Sequence, residues 1–223
     1  TARRLSAEGA TVVIADLEEP PAEIASLKAG VSVYFVRGDY TKPELLENAR
    51  VKHARLAIIV ADTTQQRGDQ DRDARTVLAA LMIERMCPGI YTVAELLNRD
   101  NEPHLRAAGI EEVIVTSEVG GHHLAMAALH SGITEVFSEL LDNKVGKNLS
   151  KVPVESTQIG KTYAEVLNAR KAQRDDLVIG LEIKGQDGPR TEGYSMLVNP
   201  KGSVTLGERD NLIVIASPDR KSS

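Results

Sequence analysis

The sequence predicts an α/β fold with a parallel sheet in its first half and a smaller α+β unit after it. Three observations carry that prediction. Short apolar runs recur at residues 12–16, 31–36, 56–62, 89–94 and 113–115 with little polar alternation, the pattern of strands buried on both faces. Stretches of helical character separate them, as βαβ units require. After residue 118 the order changes to mostly helix as far as residue 141, and then to short strands around one further helix.

Taken in order, Thr1–Gly9 reads as the last turns of a helix that Gly9 stops. Val12-Val13-Ile14-Ala15-Asp16 is the first strand and ends in a carboxylate. Pro20 and Pro21 break the chain and open a helix over 22–29, which Gly30 ends. Strand 31–36 leads into Gly38-Asp39, and Thr41 caps a helix with Pro43 in its first turn. Strand 56–62 closes on Ala61-Asp62. A polar loop from Thr63 to Asp73 precedes an amphipathic helix over 74–86. Strand 89–94 ends at Glu95, a short helix covers 102–108, and 113–115 is a fifth strand. Residues 120–141 read as helix with a break at Ser131-Gly132. Beyond them come strand 150–154, helix 162–169, and strands 177–183 and 195–198 joined by a polar, Gly-rich hairpin over 184–193. A turn at 199–202 and a buried strand at 212–216 complete the unit, and Ser222 and Ser223 read as a frayed end.

Composition narrows the function classes. The net charge is −5 with both signs interspersed, which argues against a nucleic-acid partner held through its phosphates. A single cysteine, Cys87, leaves no disulfide and no cysteine zinc site, and a cytosolic compartment fits best. No apolar run reaches the ~18 residues of a membrane span, and no signal peptide is visible. Aromatics are 3% and Trp is absent, so the cores must be built from aliphatic side chains. The histidines form no site: His122 and His123 are adjacent and point to different faces of a helix. No G-x-S-x-G nucleophile elbow occurs.

Four strand tips carry carboxylates: Asp16, Asp39, Asp62 and Glu95. Right-handed crossovers gather such tips along one edge, and open α/β sheets bind ligands just outside the carboxyl ends of their strands. Asp16 can accept hydrogen bonds from two ribose hydroxyls; the competing reading is a loop Asp that caps the next helix. Gly38-Asp39-Tyr40-Thr41 likewise reads as a turn and helix cap. No Lys or Arg adjoins Asp62 or Glu95 in sequence. The acidic run from Asp69 superficially resembles an EF-hand loop, but Ala74 and Ala80 stand where Gly and Glu are required, which excludes one. Acidic residues in the first turn of a helix account for Asp71 and Asp73. Residues 119–141 carry more apolar surface than one surface helix needs. They either pack on their own sheet or cross to a partner subunit.

The stretches VVIAD (12–16), RGDYTKPELLENARVKHARLAIIVAD (37–62), AELLNRDNEPHLRAAGIEEVIV (94–115), LSKVPV (149–154), IGKTYAEV (159–166) and GERDNLIVIA (207–216) together resemble the RCK family. These are the cytoplasmic domains that regulate potassium channels, related to the subunits that gate Trk and Ktr potassium transporters. The resemblance implies a Rossmann-like lobe over 1–118, a helical crossover and dimerisation segment over 119–145, and a C-terminal lobe over 146–223. The first strand of that lobe and its G-x-G-x-x-G turn would precede Thr1. It further implies an adenine nucleotide, NAD, ADP or ATP, with Asp16 on the ribose, Gly38 and Asp39 beside the adenine, and Ala61 and Asp62 completing the site. A carboxylate at position 16 suits a free 2′-hydroxyl and repels a 2′-phosphate. In the calcium-gated archaeal channel of the family, Asp62 and Glu95 would match two Ca²⁺ ligands. Leu97 stands where that channel has its third, so Asp71 or Asp73 would replace it. The implied setting is the cytoplasmic side of the cell membrane, in a homodimer that builds a tetrameric or octameric ring on a potassium channel pore. The expected role is ligand sensing rather than catalysis. A regulatory subunit of a Trk/Ktr-type transporter or an antiporter is the runner-up. A nicotinamide-dependent dehydrogenase shares the first lobe but needs an acid/base group near the nicotinamide, and the second domain offers none that convinces.

Overall fold

The structure, a computed structural model, describes Leu5 and residues 9–19, 33–62, 66–141, 147–184 and 194–216. The expected helices at 1–9 and 22–29, the hairpin over 184–193 and the end at Ser222–Ser223 lie largely or wholly outside the described residues. The chain divides into two compact units, Thr1–His122 and His123–Ser223.

In the first unit, β1 (Val12–Asp16) pairs in parallel with β2 (Val33–Arg37), with Asp16 opposite Arg37. A second parallel sheet runs in the order β3-β4-β5, from Leu56–Ile59, Tyr91–Leu96 and Glu112–Val115. The sequence leads one to expect a single sheet here. In a doubly wound sheet, however, the strands that β1 and β3 represent flank a third strand rather than each other, and the break falls at that position. Helices α1 (Pro43–Asn48), α2 (Asp69–Met86) and α3 (Glu102–Ala107) belong to this unit.

Why α2 packs as it does is written in its spacing. Asp73, Thr76, Ala80 and Ile83 recur at three- and four-residue intervals and are all buried, one stripe of a helix against a sheet. The small side chains of Ala79 and Ala80 bring α2 close to β4, whose Thr92, Ala94 and Leu96 have no exposed surface. Leu105, Ile110 and Val115 close the same core. Helix α2 begins at Asp69, five residues before the expected start at Ala74. The polar run 69–73 is therefore helix rather than loop. Asp69 and Asp71 of this run sit in the first turn, where the unpaired N–H groups favour negative charge.

Helix α4 (Thr116–Leu129) and helix α5 (Ile133–Leu141) follow, and the division between the units falls inside α4. The break between them is where the sequence places it: Gly132 adopts φ +86°, a left-handed conformation that costs glycine nothing.

The second unit is a four-stranded antiparallel sheet in the order β6-β9-β7-β8, from Asn148–Pro153, Asn211–Ala216, Leu177–Lys184 and Tyr194–Val198. Helix α6 (Tyr163–Arg174) runs five residues beyond its expected end. Its start is held by a capping box, in which Thr162 and Glu165 bond each other's backbone N–H groups. Val178, Leu181, Leu212 and Val214 of the sheet bury against Tyr163 and Val166 of α6. The Tyr163 hydroxyl donates to the Val178 carbonyl at 2.8 Å, so the polar atom that this side chain carries into the core is satisfied. At the far end of α6, Lys147 and Lys171 flank Asp175 and hold its carboxyl down to about 2.

A close approach of β7 and β8 fixes one glycine. A Cβ on Gly180 would lie 2.7 Å from the Leu197 carbonyl oxygen of the neighbouring strand. Gly180→Ala is expected to destabilise the chain by about 1–3 kcal/mol, the range for overpacking a filled interior, read as a lower urea midpoint with an unchanged slope.

Candidate functional site

The chain segments that follow β2 and β3 meet around one side chain that sequence reasoning missed, Arg75 of α2. Its Nη2 donates to Asp39 Oδ1 at 2.8 Å, and its Nε lies 3.5 Å from Asp62 Oδ2. The guanidinium stands over the Tyr40 ring, 4.9 Å from the centroid, close enough for a cation–π contact. Asp62 is 1% exposed at its side chain and Arg75 13%. A carboxylate buried to that degree needs a counter-charge, and Arg75 is beside it.

Asp39 is tightly held. Its Oδ1 accepts from the Thr41 backbone N–H at 3.0 Å and from the Thr41 hydroxyl at 2.8 Å as well as from Arg75. Burial pushes the Asp39 carboxyl up, but the Thr41 and Arg75 hydrogen bonds outweigh it and leave it below its ordinary value. Thr41 thus serves the Asp39 turn; the position that caps α1 is Lys42, which makes no side-chain cap bond. Burial raises the Tyr40 phenol, Arg75 opposes that, and the charges of Asp62 and Asp16 add to it. Gly38 has φ +152°, and a Cβ there would meet Leu45 Cδ1 at 2.7 Å. The chain can turn from β2 into this cluster only with glycine at that position.

Asp16 ends β1. Its Oδ1 accepts the Leu17 N–H at 2.6 Å, and the Gly38 N–H donates to its backbone carbonyl at 2.8 Å. The structure therefore brings Asp16, Gly38, Asp39 and Asp62 into one neighbourhood around Tyr40, while the backbone of Ala61 is bonded to Glu95 instead. The Ala61 N–H donates to Glu95 Oε2 at 2.9 Å, and Thr116 donates to Glu95 Oε1 at 2.9 Å. Glu95 in this way ties the end of β3 to the first residue of α4.

The remaining acidic candidates are placed differently. Asp73 is completely buried. Its two oxygens accept from the Leu97 and Asn98 backbone N–H groups, each at 2.9 Å, and from Asn101 Nδ2 at 2.8 Å. It is a fastener between α2 and the chain after β4. Asp71 pairs with Arg67 at 3.0 Å on the helix surface. Among the described residues no group of three or more His, Cys, Asp or Glu side chains is arranged to hold a metal ion. Asp62, without a basic neighbour in sequence, has one in space. Arg75 was hard to foresee because its partner Asp39 lies 36 residues away, and nothing local marks it among its helical neighbours.

With this geometry in view, residues 1–116 match the TrkA-N domain family. The chain belongs to that family. A calcium-gated potassium channel, TvoK, of Thermoplasma volcanium is 27% identical over 105 residues, covering 47% of this chain and 30% of the channel. A probable ion channel, POLLUX, of Oryza sativa subsp. japonica is 28% identical over 220 residues, covering 95% of this chain and 21% of its own. The chain thus spans about a fifth to a third of the length of these relatives. Among solved structures, the human SLO3 gating ring matches at a TM-score of 0.66 and 17% identity, over 92% of this chain and 39% of that one. It shares the fold of both units. No helix among the described residues is long and apolar enough to cross a membrane.

The Asp39 hydrogen bonds make a pH signature. A carboxyl held below its unfolded value contributes stability that is present above the unfolded pKa of about 3.9 and lost as pH falls through the folded value. Asp39→Asn is expected to lower stability by about 1–3 kcal/mol at pH 7. That gap should close as the medium is taken below about pH 4, as measured by urea unfolding across the pH series.

Proposed function

We propose that this chain is the ligand-sensing regulatory domain of an ion channel, a potassium channel by the measure of its archaeal relative, and that it acts on the cytoplasmic side of the membrane without catalysing a reaction. One observation carries the reading. The match to the plant ion channel extends over 95% of the chain, so the shared part comprises the second unit as well as the nucleotide-type lobe. A dehydrogenase would share only the lobe. Ligand binding shifts such a domain by its differential affinity for two states, typically about 1–3 kcal/mol per coupled site, and several subunits in a ring multiply that into a switch.

The ligand we assign to the crevice is an adenine nucleotide, NAD, ADP or ATP. Asp16 at the tip of β1 would take the ribose hydroxyls through Oδ2, with Gly38, Asp39, Ala61 and Asp62 lining the adenine side. The Ca²⁺ alternative draws on the name of the archaeal relative and would use Asp62 and Glu95 with Asp71 or Asp73. The contacts those four carboxylates make support the nucleotide over the cation. In calorimetry with a chain that includes the Gly-rich turn expected before Thr1, one of the three nucleotides should bind, and Asp16→Ala should weaken it by about 10- to 100-fold, the scale of charge-assisted hydrogen bonds. No adenine nucleotide binding, or no effect of Asp16→Ala, removes the nucleotide from the account.

The partner we assign to α4 and α5 is a second copy of this chain. Leu124, Leu129, Val136 and Leu141 are between 51% and 75% exposed, a run of large apolar side chains of the kind that marks an interface. Sedimentation should show a dimer at micromolar concentration, and Leu124→Glu with Leu129→Glu should return it to monomer. A monomer in the unmutated chain at high micromolar concentration sinks the assignment.

A further inference from the structure

We infer that Arg75 is a specificity-determining residue of the crevice: its guanidinium takes the place a divalent cation would take between Asp39 and Asp62, and so makes the crevice blind to Ca²⁺. The inference rests on the crevice being a ligand site, as proposed above, but not on which nucleotide fills it.

The argument is one of charge and coordination. Asp39 and Asp62 turn two carboxylates toward one guanidinium, and a pair of like charges of this kind favours a cation between them. The cation that the fold supplies is tethered. Arg75 reaches Asp39 at 2.8 Å and Asp62 at 3.5 Å, with the Tyr40 ring as its floor. Burial alone would lower the Arg75 pKa, but Tyr40 and Asp39 raise it above its ordinary value, so the charge is permanent. Ca²⁺ wants six to eight oxygens. To enter here it must displace a guanidinium that cannot diffuse away, and a guanidinium offers it no oxygen. Glu95 is no substitute, because its two oxygens already hold the Ala61 N–H and the Thr116 hydroxyl. An arginine that merely braced the fold would make the same contacts, and removing it would cost stability. It would not create a cation site, and that difference can be measured.

The test is equilibrium dialysis against CaCl₂, without nucleotide, on the unmutated chain, Arg75→Gln, Arg75→Lys, Asp62→Asn, and Arg75→Gln combined with Asp62→Asn. Melting temperatures are taken in parallel, since a ligand that binds only the folded state raises them. The unmutated chain and Arg75→Lys, which keeps the positive charge, should bind no Ca²⁺ in the crevice up to about 10 mM, tenfold above the roughly 1 mM of the weakest sites. Arg75→Gln should bind Ca²⁺ at least about tenfold more tightly than the unmutated chain and melt higher in its presence, on the scale of one lost charge at this distance. Asp62→Asn should abolish that gain. A folded Arg75→Gln with no gain overturns the inference. So does Ca²⁺ binding by the unmutated chain that Asp62→Asn removes, and this comparison decides the matter even if Arg75→Gln does not fold. Failure of nucleotide binding leaves these outcomes unchanged, so the two readings fail separately.

Discussion

The buried carboxylate of Asp73 is the constraint on which the first unit depends. It lies on the inner stripe of α2 with no exposed surface and collects three N–H donors from the chain that leaves β4. A charge removed from water this far is tolerable only when such donors surround it. The consequence is geometric: α2 cannot rotate or slide along the sheet without abandoning those bonds. Arg75 sits two residues further along the same helix, so its reach to Asp39 and Asp62 is set by Asp73. The position of the crevice's cation therefore depends on a side chain that makes no contact with a ligand.

The second unit solves the same problem with a cation at its centre. Arg170 is buried on α6 and is paired with Asp176 at 3.3 Å and Glu155 at 3.0 Å, while Arg174 reaches Glu155 at 2.6 Å. Glu155 also caps the short 3₁₀ turn over Ser156–Gln158. Glu155 thus connects the turn to the helix, and Arg170 carries the connection on to Asp176, which leads into β7. Such networks are weak evidence for net stability, since each ion must be taken out of water. They specify which helix face meets the sheet, because any other rotation of α6 would bury Arg170 without partners.

Much of this was legible in the sequence, and the parts that were not share a physical cause. The strands of the first half declare themselves as apolar runs: four of the five lie within two residues of their expected bounds, and the third, expected over 56–62, ends at Ile59. Gly132 marks the break between α4 and α5, and Thr162 with Glu165 marks the start of α6. What failed was the reading of polar residues. The run Asp69–Asp73 looks like a loop because acidic residues are common there; its helicity comes from packing further along, at Thr76, Ala80 and Ile83. Asp73 looks like an N-terminal cap and is a tertiary fastener. Asp62 looks isolated and faces Arg75. The contacts of Asp62, Asp73 and Arg75 join residues about 13 to 36 apart, and periodicity carries no information about them. The division of the sheet escaped notice for the related reason that strand order is a property of topology rather than of any strand's own residues.

Glu95 joins the Ala61 backbone at the end of β3 to Thr116, the first residue of α4. A helix of 14 residues is about 21 Å long at 1.5 Å per residue. Its first turn is fastened further: Thr116 also donates to the Leu96 carbonyl at 3.2 Å, Ser117 donates to the Leu97 carbonyl at 2.9 Å, and Glu118 pairs with Arg99. These anchors gather at one end of the helix, so its line is set there, while the exposed Leu124 and Leu129 stand about 12 and 20 Å further along the axis at 1.5 Å per residue.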